Sequence, residues 1–219
     1  MLVKNFMTAT VITMREDQNL LEARELMRGK NLLSLPVVDD IGRLRGIITA
    51  VDIGRASPGD ASTLSKYEAN YLLGRLKVRE VMSRSVITVN ADDTIEYVAY
   101  QLYKYRIHAL PVVDENNKLC GIISQTDMFR AIVEMMNMNR GCTRMTLETA
   151  DRVGVLAEVC NIFKENNINI ISLVTKQNSD GNTEITIRAD LSVNGMDVIE
   201  HIREAGYDVQ NIMTIQGLE

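Results

Sequence analysis

The chain has 219 residues, of which 46% are hydrophobic and 24% are charged, a composition typical of globular domains. Its formal net charge of −5 and the absence of a basic stripe argue against nucleic acid as a direct partner. No apolar run approaches the roughly 18 residues of a membrane-spanning helix, so no membrane partner is expected.

Cysteine and histidine usage suggests a cytoplasmic protein without a metal site. Cys120, Cys142 and Cys160 show no CxxC spacing, and any disulfide scheme leaves an odd thiol. We therefore expect reduced, buried cysteines. The amino-terminal residues lack the long apolar stretch of a secretory signal. Because His108 and His201 are the only histidines, a histidine-rich metal centre is not expected.

One segment of the chain occurs twice. Residues 3–53 align without a gap with residues 78–128, at a constant offset of 75. The block Leu-Pro-Val-Val-Asp ends at Asp39 and again at Asp114, and Gly-Ile-Ile begins at Gly46 and again at Gly121. The sheet predicted for one copy has only two or three strands, and its hydrophobic face needs the other copy as cover. The two copies should therefore fold together.

Each copy predicts the same succession of elements. In the first copy they are a strand at 11–14, a helix at 20–28, strands at 35–38 and 44–49, and a helix from residue 50. Asn19 and Thr94 occupy the cap positions of the two first helices. Gly42 and Asn117 suit left-handed positions in the strand–strand turns. A loop at 56–60 and a helix at 66–76 lie between the copies.

The remainder of the chain has a different pattern and a different charge. From Cys142 onward it has 6 basic and 12 acidic residues, a net charge of −6. The predicted elements are a strand at 144–149, a helix at 155–166, strands at 168–175 and 183–191, a helix at 197–205 and a strand at 207–215. This βαββαβ order predicts a ferredoxin-like sandwich, so the whole chain is of mixed α/β (α+β) class.

The pattern Thr/Ser-x-x-Asp-x-x-Arg occurs once in each copy, where a strand becomes a helix. A helix start offers free N–H groups to an anion, and a carboxylate in the first turn can accept hydrogen bonds from both hydroxyls of a ribose. Thr49 or Ser124 can bind a phosphate oxygen, and Arg55 or Arg130 can add a charged fork. Together these groups indicate a ribonucleotide pocket with apolar walls for the base.

A helix cap is the alternative interpretation of the same pattern. Thr-x-x-Asp is a form of capping box, and a capping box needs no ligand. Two observations favour the pocket. The arginine recurs at the same spacing, which capping does not require, and the repeat also recreates the neighbouring strands that could form walls for a base.

Residues 1–140 resemble a tandem pair of CBS domains, the Bateman module. The resemblance rests on Met7 and Met82, on Val-Ile-Thr at 11–13 and 86–88, and on the Leu-Pro-Val-Val-Asp and Gly-Ile-Ile-Thr/Ser-x-x-Asp blocks. It implies CBS domains at 1–76 and 77–140, with clefts for adenosine-containing ligands between two β-α-β-β-α units.

The resemblance also implies roles for individual residues. Asp52 and Asp127 would hold ribose hydroxyls, while Thr49, Ser124, Arg55 and Arg130 would face phosphates. Main chain near the base would come from Ile12, Thr13, Ser34, Leu35, Ile87, Thr88, Ala109 and Leu110. His108 could point into the second cleft, but its counterpart is Leu33, so a packing or surface role competes and no catalytic role is expected.

Residues 141–219 resemble an ACT domain. The resemblance rests on Asp-Arg-Val-Gly-Val-Leu at 151–156 and on Asn-Ile at 169–170. ACT domains pair, and their amino-acid ligands lie at that interface, which implies ligand roles for Asp151, Gly154 and Asn169. The alternative is that Gly154 only makes a turn and the domain only dimerises.

Two CBS domains followed by one ACT domain resemble the regulatory proteins of acetoin utilisation. This implies a non-catalytic homodimeric sensor that binds an adenylate (AMP, ADP or ATP, with NAD or S-adenosylmethionine as further candidates) and biases an unidentified regulated protein. An amino acid or other small carboxylate could bind the ACT domain. The alternatives are a dimerising scaffold without ligand sensing and an enzyme acting on a nucleotide, for which no nucleophile–base set or P-loop is present.

Overall fold

The computed structural model describes residues 1–57, 65–192 and 195–217, so the loop predicted at 56–60 lies mostly outside the described residues. The chain forms two compact units, Met1–Phe129 and Arg130–Glu219. None of the helices in the described ranges is long and apolar enough to cross a membrane.

The first unit contains both copies of the repeat. After a short 3-10 turn at Val3–Asn5, its elements are α1 (Leu20–Lys30), β1 (Ser34–Val38), β2 (Leu44–Thr49), α2 (Ala50–Ala56), α3 (Lys66–Arg75), α4 (Val78–Val81), α5 (Ile95–Tyr105), β3 (Ala109–Val113), β4 (Leu119–Ser124) and α6 (Gln125–Met135). The last helix begins in the first unit and ends in the second.

Local side-chain chemistry fixes where these elements begin and turn. The Asn19 side chain accepts a hydrogen bond from the Glu22 N–H at 3.0 Å, and Thr94 caps α5 in the same way, so both predicted caps are confirmed. The predicted left-handed turn residues are confirmed as well, with φ of 81° at Gly42 and 59° at Asn117. The turns join two antiparallel hairpins, β1–β2 and β3–β4.

The predicted strands at 11–14 and 86–89 are wrong in extent. Each is reduced to one parallel bridge, Met14 to Val37 in the first copy and Val89 to Val112 in the second. Only these two ends of the segments are buried against the hairpins. Of the preceding residues, four are half-buried and line cavities: Val11, Ile12, Val86 and Ile87.

The segment that begins each copy pairs with the other copy. Thr8 and Ile122 exchange backbone hydrogen bonds of 2.9 and 3.0 Å, and Ser83 and Ile47 exchange two of 2.9 Å. The crossing requires a glycine: a Cβ at Gly46 would lie 2.7 Å from Met82 Sδ and 2.8 Å from the Ser83 carbonyl oxygen. This exchange makes one unit of the two copies, as the sequence predicts.

The second unit has the predicted βαββαβ order. Its elements are β5 (Cys142–Ala150), α7 (Val155–Glu165), β6 (Ile170–Gln177), β7 (Asn182–Ala189), α8 (Gly195–Glu204) and β8 (Asp208–Ile215). The four strands form an antiparallel sheet in the order β6-β7-β5-β8. One face of this sheet and the two helices share a core that includes Met145, Leu147, Val159, Phe163, Ile185, Ile187, Val198 and Ile202.

The expectation that all three cysteines are buried is wrong for one of them. All three are free thiols; Cys142 is buried and Cys120 is half-buried, but Cys160 is exposed. The buried stripe of α7 runs through Val155, Val159 and Phe163, at helical spacing of four. Cys160 follows Val159 by one position and therefore points away from the core.

Candidate functional site

The first unit contains two related cavities, named here by their aspartates. The Asp52 cavity measures about 360 Å³ and the Asp127 cavity about 310 Å³. The Asp52 cavity is lined by Leu33, Ser34, Ile47, Thr49, Ala50, Val51, Asp52, Ser83, Ser85, Val86, Ile87, Arg106, Ile107, His108 and Ala109. Each of these residues has its counterpart, 75 positions away, in the lining of the Asp127 cavity.

Each cavity combines residues of both copies. The Asp52 cavity takes Thr49 and Asp52 from the first copy and Val86 and Ile87 from the second. The Asp127 cavity takes its aspartate from the second copy and apolar wall residues, such as Ile12, from the first. The exchanged backbone pairing of residues 8 and 83 places these wall residues opposite the aspartate of the other copy.

Asp52 belongs to a complete capping box at the start of α2. Its Oδ2 accepts hydrogen bonds from the Thr49 N–H at 2.9 Å and from the Thr49 hydroxyl at 2.6 Å. The Asp52 N–H in turn donates to Thr49 Oγ1 at 3.2 Å. The second carboxylate oxygen, Oδ1, receives no hydrogen bond from any described residue, so the cap uses only one of the two carboxylate oxygens.

The second copy repeats this geometry at the start of α6. Asp127 Oδ2 accepts hydrogen bonds from the Ser124 N–H at 2.8 Å and from the Ser124 hydroxyl at 2.7 Å. The Asp127 N–H donates back to Ser124 Oγ at 3.3 Å. In both copies, the residues that cap the helix also line the cavity. The sequence pattern can therefore serve as a helix cap and as part of a pocket at the same time.

The residues expected to face phosphates are placed less uniformly. Thr49 and Ser124 line their cavities, but each hydroxyl already donates its proton to an aspartate. Arg55 and Arg130 are exposed and do not line either cavity. Arg130 lies 4.0 Å from Glu134, measured from Nε to Oε1.

Arg106 is a charged lining residue that the sequence pattern did not indicate. It ends α5 in the left-handed conformation with φ of 53° and lines the Asp52 cavity. Its counterpart, Asn31, ends α1 with φ of 52° and lines the Asp127 cavity. The Asp52 cavity is therefore lined by an arginine where the other cavity is lined by an asparagine. In the sequence, the exchange of Asn31 for Arg106 between the two copies is the signal that could have indicated this residue.

His108 lines both cavities, as does its counterpart Leu33. The imidazole Nδ1 lies 3.2 Å from Gln125 Oε1, and the Gln125 amide group donates to the Ile107 carbonyl at 3.2 Å. The sequence leaves His108 between a place in the second cleft and a packing or surface role, whereas the structure places it in the lining of both cavities. Its partner Gln125 lines only the Asp127 cavity, so this contact connects a residue shared by both cavities with a residue of one of them.

The expected base-lining residues divide into three groups. Ile12, Ile87, Ala109 and Ser34 line the cavities. The side chains of Leu35 and Leu110 are fully buried in the core, because both lie in the middle of buried strands. Thr13 and Thr88 are half-buried and lie outside the lining of both cavities.

The second unit has a cavity of about 360 Å³ at the start of α7. It brings together Asp151 and Gly154, two of the three residues expected there, with Thr175, Gln177 and Thr183. Gly154 has φ of 96° and supplies no side-chain cap, so the first N–H groups of α7 lack a side-chain partner. Asn169 is exposed and does not line this cavity.

Two polar side chains of this cavity differ in how well they are satisfied. Asp151 Oδ2 accepts a hydrogen bond from Gln177 Nε2 at 2.5 Å. The hydroxyl of Thr183 is buried, and among the described residues it has no hydrogen-bond partner. An orphaned buried hydroxyl costs about 1–3 kcal/mol.

An ion pair stabilises the helix beside this cavity. Glu158 accepts hydrogen bonds from both terminal nitrogens of Arg152, at 2.7 and 2.5 Å, and from the Tyr207 hydroxyl at 2.6 Å. These bonds, first from Arg152 and then from Tyr207, lower the pKa of Glu158 from 4.5 to about 2. Burial raises the pKa of Tyr207, and its bond to Glu158 adds to that shift.

Comparison with known protein families matches almost the whole chain. The CBS domain family matches residues 3–59 and 78–134, which together are more than half of the chain. The ACT domain family matches residues 142–216. CBS and ACT domains are regulatory modules, and the mixed α/β fold with a ferredoxin-like second unit agrees with this assignment.

The curated relatives match the first unit. A homoserine O-acetyltransferase from Methanococcus vannielii is 34% identical over 131 residues, which are 60% of this chain and 25% of the relative. This chain therefore spans about a quarter of that relative's length. The CBS domain-containing protein YhcV of Bacillus subtilis is 32% identical over 139 residues, with 64% of this chain and 89% of YhcV covered.

Solved structures of CBS pairs also match the first unit. The CBS domain pair of the protein MJ0100, in complex with 5′-methylthioadenosine and S-adenosyl-L-methionine, has 31% identity and a TM-score of 0.50, covering 60% of this chain and 99% of that one. CBSX2 in complex with AMP has 25% identity and a TM-score of 0.53, covering 61% and 97%. A candidate acetoin utilization protein (AcuB) from Vibrio cholerae has 25% identity and a TM-score of 0.53, covering 63% and 94%.

Proposed function

Because this chain belongs to the CBS-domain family, with two CBS domains followed by an ACT domain, we propose that it is a regulatory sensor of adenosine-containing ligands. The ligands bind in the Asp52 and Asp127 cavities. The observation that carries this proposal is the carboxylate of Asp52: the capping box holds it rigidly by Oδ2 at a cavity wall, with Oδ1 left to accept the two ribose hydroxyls.

The cavity walls suit the rest of such a ligand. Val86 and Ile87 in one cavity, and Val11 and Ile12 in the other, offer apolar surface to a purine. AMP in CBSX2 and the two adenosine compounds in MJ0100 support this ligand class. NAD, ADP and ATP share the adenosine group and fall within the same proposal.

The two cavities differ in charge, and we assign them different ligands. Arg106 gives the Asp52 cavity a guanidinium that can bind a phosphate through paired hydrogen bonds, so this cavity takes AMP or a longer adenine nucleotide. No lysine or arginine lines the Asp127 cavity within the described residues, and its aspartate is the one acidic group there. That cavity therefore favours a neutral or cationic adenosine compound.

The cavity of the second unit is proposed to bind an amino acid or another small carboxylate. The N–H groups at the start of α7 would receive the ligand carboxylate, and Asp151 would receive its ammonium group. The polar lining residues Asp151 and Gln177 support a polar occupant.

The proposed sensor is a non-catalytic homodimer that acts on another protein. A ligand that binds two arrangements of the chain unequally would shift their populations and so bias that partner. A role in acetoin utilisation is a narrower proposal, supported by the 25% identity to the AcuB structure. The proposed location is the cytoplasm, where free cysteines such as Cys160 remain reduced.

Isothermal titration of the full chain tests the nucleotide sites. AMP and 5′-methylthioadenosine are titrated into the wild type, Asp52→Ala and Asp127→Ala, with the exposed Asp17→Ala as the control. Each cavity variant should lose binding in its own cavity, at least about tenfold in affinity, because one lost charged hydrogen bond is worth about 1.5–3 kcal/mol. Asp17→Ala should bind like the wild type.

Equal affinities in all four proteins would refute the roles of the two aspartates. Absence of binding by the wild type, together with an unchanged melting temperature in a large excess of ligand, would favour the scaffold instead. Turnover of a bound nucleotide by the purified protein would favour the enzyme. Glycine titrated into Asp151→Ala and the wild type tests the cavity of the second unit separately.

A further inference from the structure

The first unit has a further cavity between α1 and α2, which we call the α1–α2 cavity. It measures about 290 Å³. Positions 24, 27, 28 and 31 line it from α1 and its end, and positions 50, 53, 54 and 57 line it from α2 and its end. Both sets have the spacing of one helical face, so the cavity is a groove between two facing helices.

Two arginines of α1 line this cavity, and no acidic residue does so within the described ranges. Arg24 and Arg28 are one helical turn apart, and neither forms an ion pair with a described residue. Arg24 is half-buried; its Nη2 donates to Asn70 Oδ1 at 2.6 Å, while its Nε is buried and has no partner among the described residues. A partly buried cation without a counter-ion is unfavourable, and like charges one turn apart repel.

The other copy of the repeat shows that folding does not require charges at these positions. The counterparts of the two arginines in α5 are Ala99 and Tyr103, and the counterpart of Gly54 is Phe129. A Cβ atom at Gly54 would meet no heavy atom within 4 Å, so this side of α2 is open. The first copy therefore combines two cations with a small residue, where the second copy has an alanine and two aromatic rings.

The lining of the α1–α2 cavity indicates the chemical class of its ligand. Arginine binds phosphate through paired, charge-assisted hydrogen bonds, and two arginines one turn apart can share the charge of a single phosphate. Met27, Leu32 and Ile53 give the cavity an apolar lining as well. Its volume is close to the 310 Å³ of the Asp127 cavity, so it has room for an organic group beside the phosphate.

We propose that the α1–α2 cavity binds a small phosphate ester, with the phosphate between Arg24 and Arg28 and the organic group on the apolar lining. This ligand is separate from the adenosine compounds. Neither Asp52 nor Asp127 lines the cavity, and neither arginine lines the adenosine cavities. The site therefore goes beyond the proposed adenosine sites and does not depend on them.

Calorimetric titration of phenyl phosphate into the full chain tests the site. An excess of 5′-methylthioadenosine, which has no phosphate, is present throughout to fill the adenosine cavities. Arg24→Ala and Arg28→Ala should each weaken the binding of phenyl phosphate about tenfold, because each removes a charge-assisted contact. Lys30→Ala removes a charge of the same helix outside the cavity and should bind like the wild type. Absence of binding by the wild type, or equal affinities in all variants, would overturn the proposal.

Asn70→Ala separates binding from the packing of α3 against α1. It removes the hydrogen bond to Arg24 but keeps the guanidinium, so it should weaken the binding of phenyl phosphate less than Arg24→Ala does. Losses of equal size in the two variants would reduce Arg24 to a support for α3 and overturn its role in binding.

The aspartate variants locate the phosphate. Asp52→Ala and Asp127→Ala should bind phenyl phosphate like the wild type, whether or not the adenosine sites are functional. A loss of binding in either variant, or displacement of phenyl phosphate by 5′-methylthioadenosine, would place the phosphate in an adenosine cavity and overturn the separate site. Circular dichroism of each variant should match the wild type.

Discussion

Gly46 lies so close to Ser83 that a Cβ atom at position 46 would stand 2.8 Å from the Ser83 carbonyl oxygen. The two residues belong to different copies of the repeat and are brought together where residue 83 pairs with Ile47. Ile47 and Ser83 line the Asp52 cavity, so the close approach that Gly46 permits serves the site as well as the fold.

Gly46→Ala should therefore destabilise the chain by about 2 kcal/mol, because the added methyl group meets backbone that cannot move aside. The corresponding Gly121→Ala should cost less. Its Cβ would meet the flexible Met7 side chain at 2.5 Å and the Thr8 carbonyl oxygen only at 3.3 Å. Urea unfolding measures both. The control is Gly29→Ala in α1, which meets nothing within 4 Å and should be stabilising. Equal losses at 46 and 121 would contradict this explanation.

Thr49→Ala separates the helix cap from the proposed ribose contact. It removes the hydroxyl that bridges to Asp52 but keeps the carboxylate, so it should lower the free energy of unfolding by about 1 kcal/mol. Binding of AMP in the Asp52 cavity should change less than in Asp52→Ala. Urea unfolding and calorimetry on the same two variants provide the comparison. A larger loss of binding in Thr49→Ala than in Asp52→Ala would assign the ligand contact to the hydroxyl.

Arg106→Asn tests the difference in charge between the cavities. Asparagine is the residue that the first copy uses at this left-handed position, so the substitution should not strain the backbone. We expect affinity for AMP in the Asp52 cavity to fall about tenfold, because a charge-assisted contact to phosphate is lost. Affinity for 5′-methylthioadenosine, which lacks a phosphate, should be unchanged. A similar loss for both ligands would show that Arg106 shapes the cavity without selecting phosphate.

The lowered pKa of Glu158 predicts how the free energy of unfolding depends on pH. Its pKa is about 2 in the folded chain, against an ordinary value of 4.5. Between these values the unfolded chain binds the additional proton, so the stabilisation by Glu158 is complete above pH 4.5 and is lost as the pH falls towards about 2. Glu158→Gln should flatten the stability profile over this interval.

Tyr207→Phe should have an intermediate effect, because it removes one of the hydrogen bonds that lower the pKa of Glu158 and leaves Arg152 in place. Urea midpoints at pH 7, 4 and 3 measure the three profiles. Parallel profiles for the wild type and Glu158→Gln would contradict the role of this ion pair.

Local sequence signals determined most of the fold. The caps at Asn19 and Thr94 and the left-handed turns at Gly42 and Asn117 involve contacts within a few residues, so each could be predicted from neighbouring side chains. The same holds for the βαββαβ order of the second unit, where the apolar periodicity is strong. The aspartates at 52 and 127 were found in this way too.

Only the tertiary structure decided which residues share a cavity. Arg106 and His108 lie more than 50 positions from Asp52 and reach the same cavity because the copies exchange their first segments. Arg55 lies one helical turn from Asp52 and still does not line the cavity. Spacing along a helix determines a local direction, whereas a cavity depends on distant backbone pairing, which no short sequence pattern encodes.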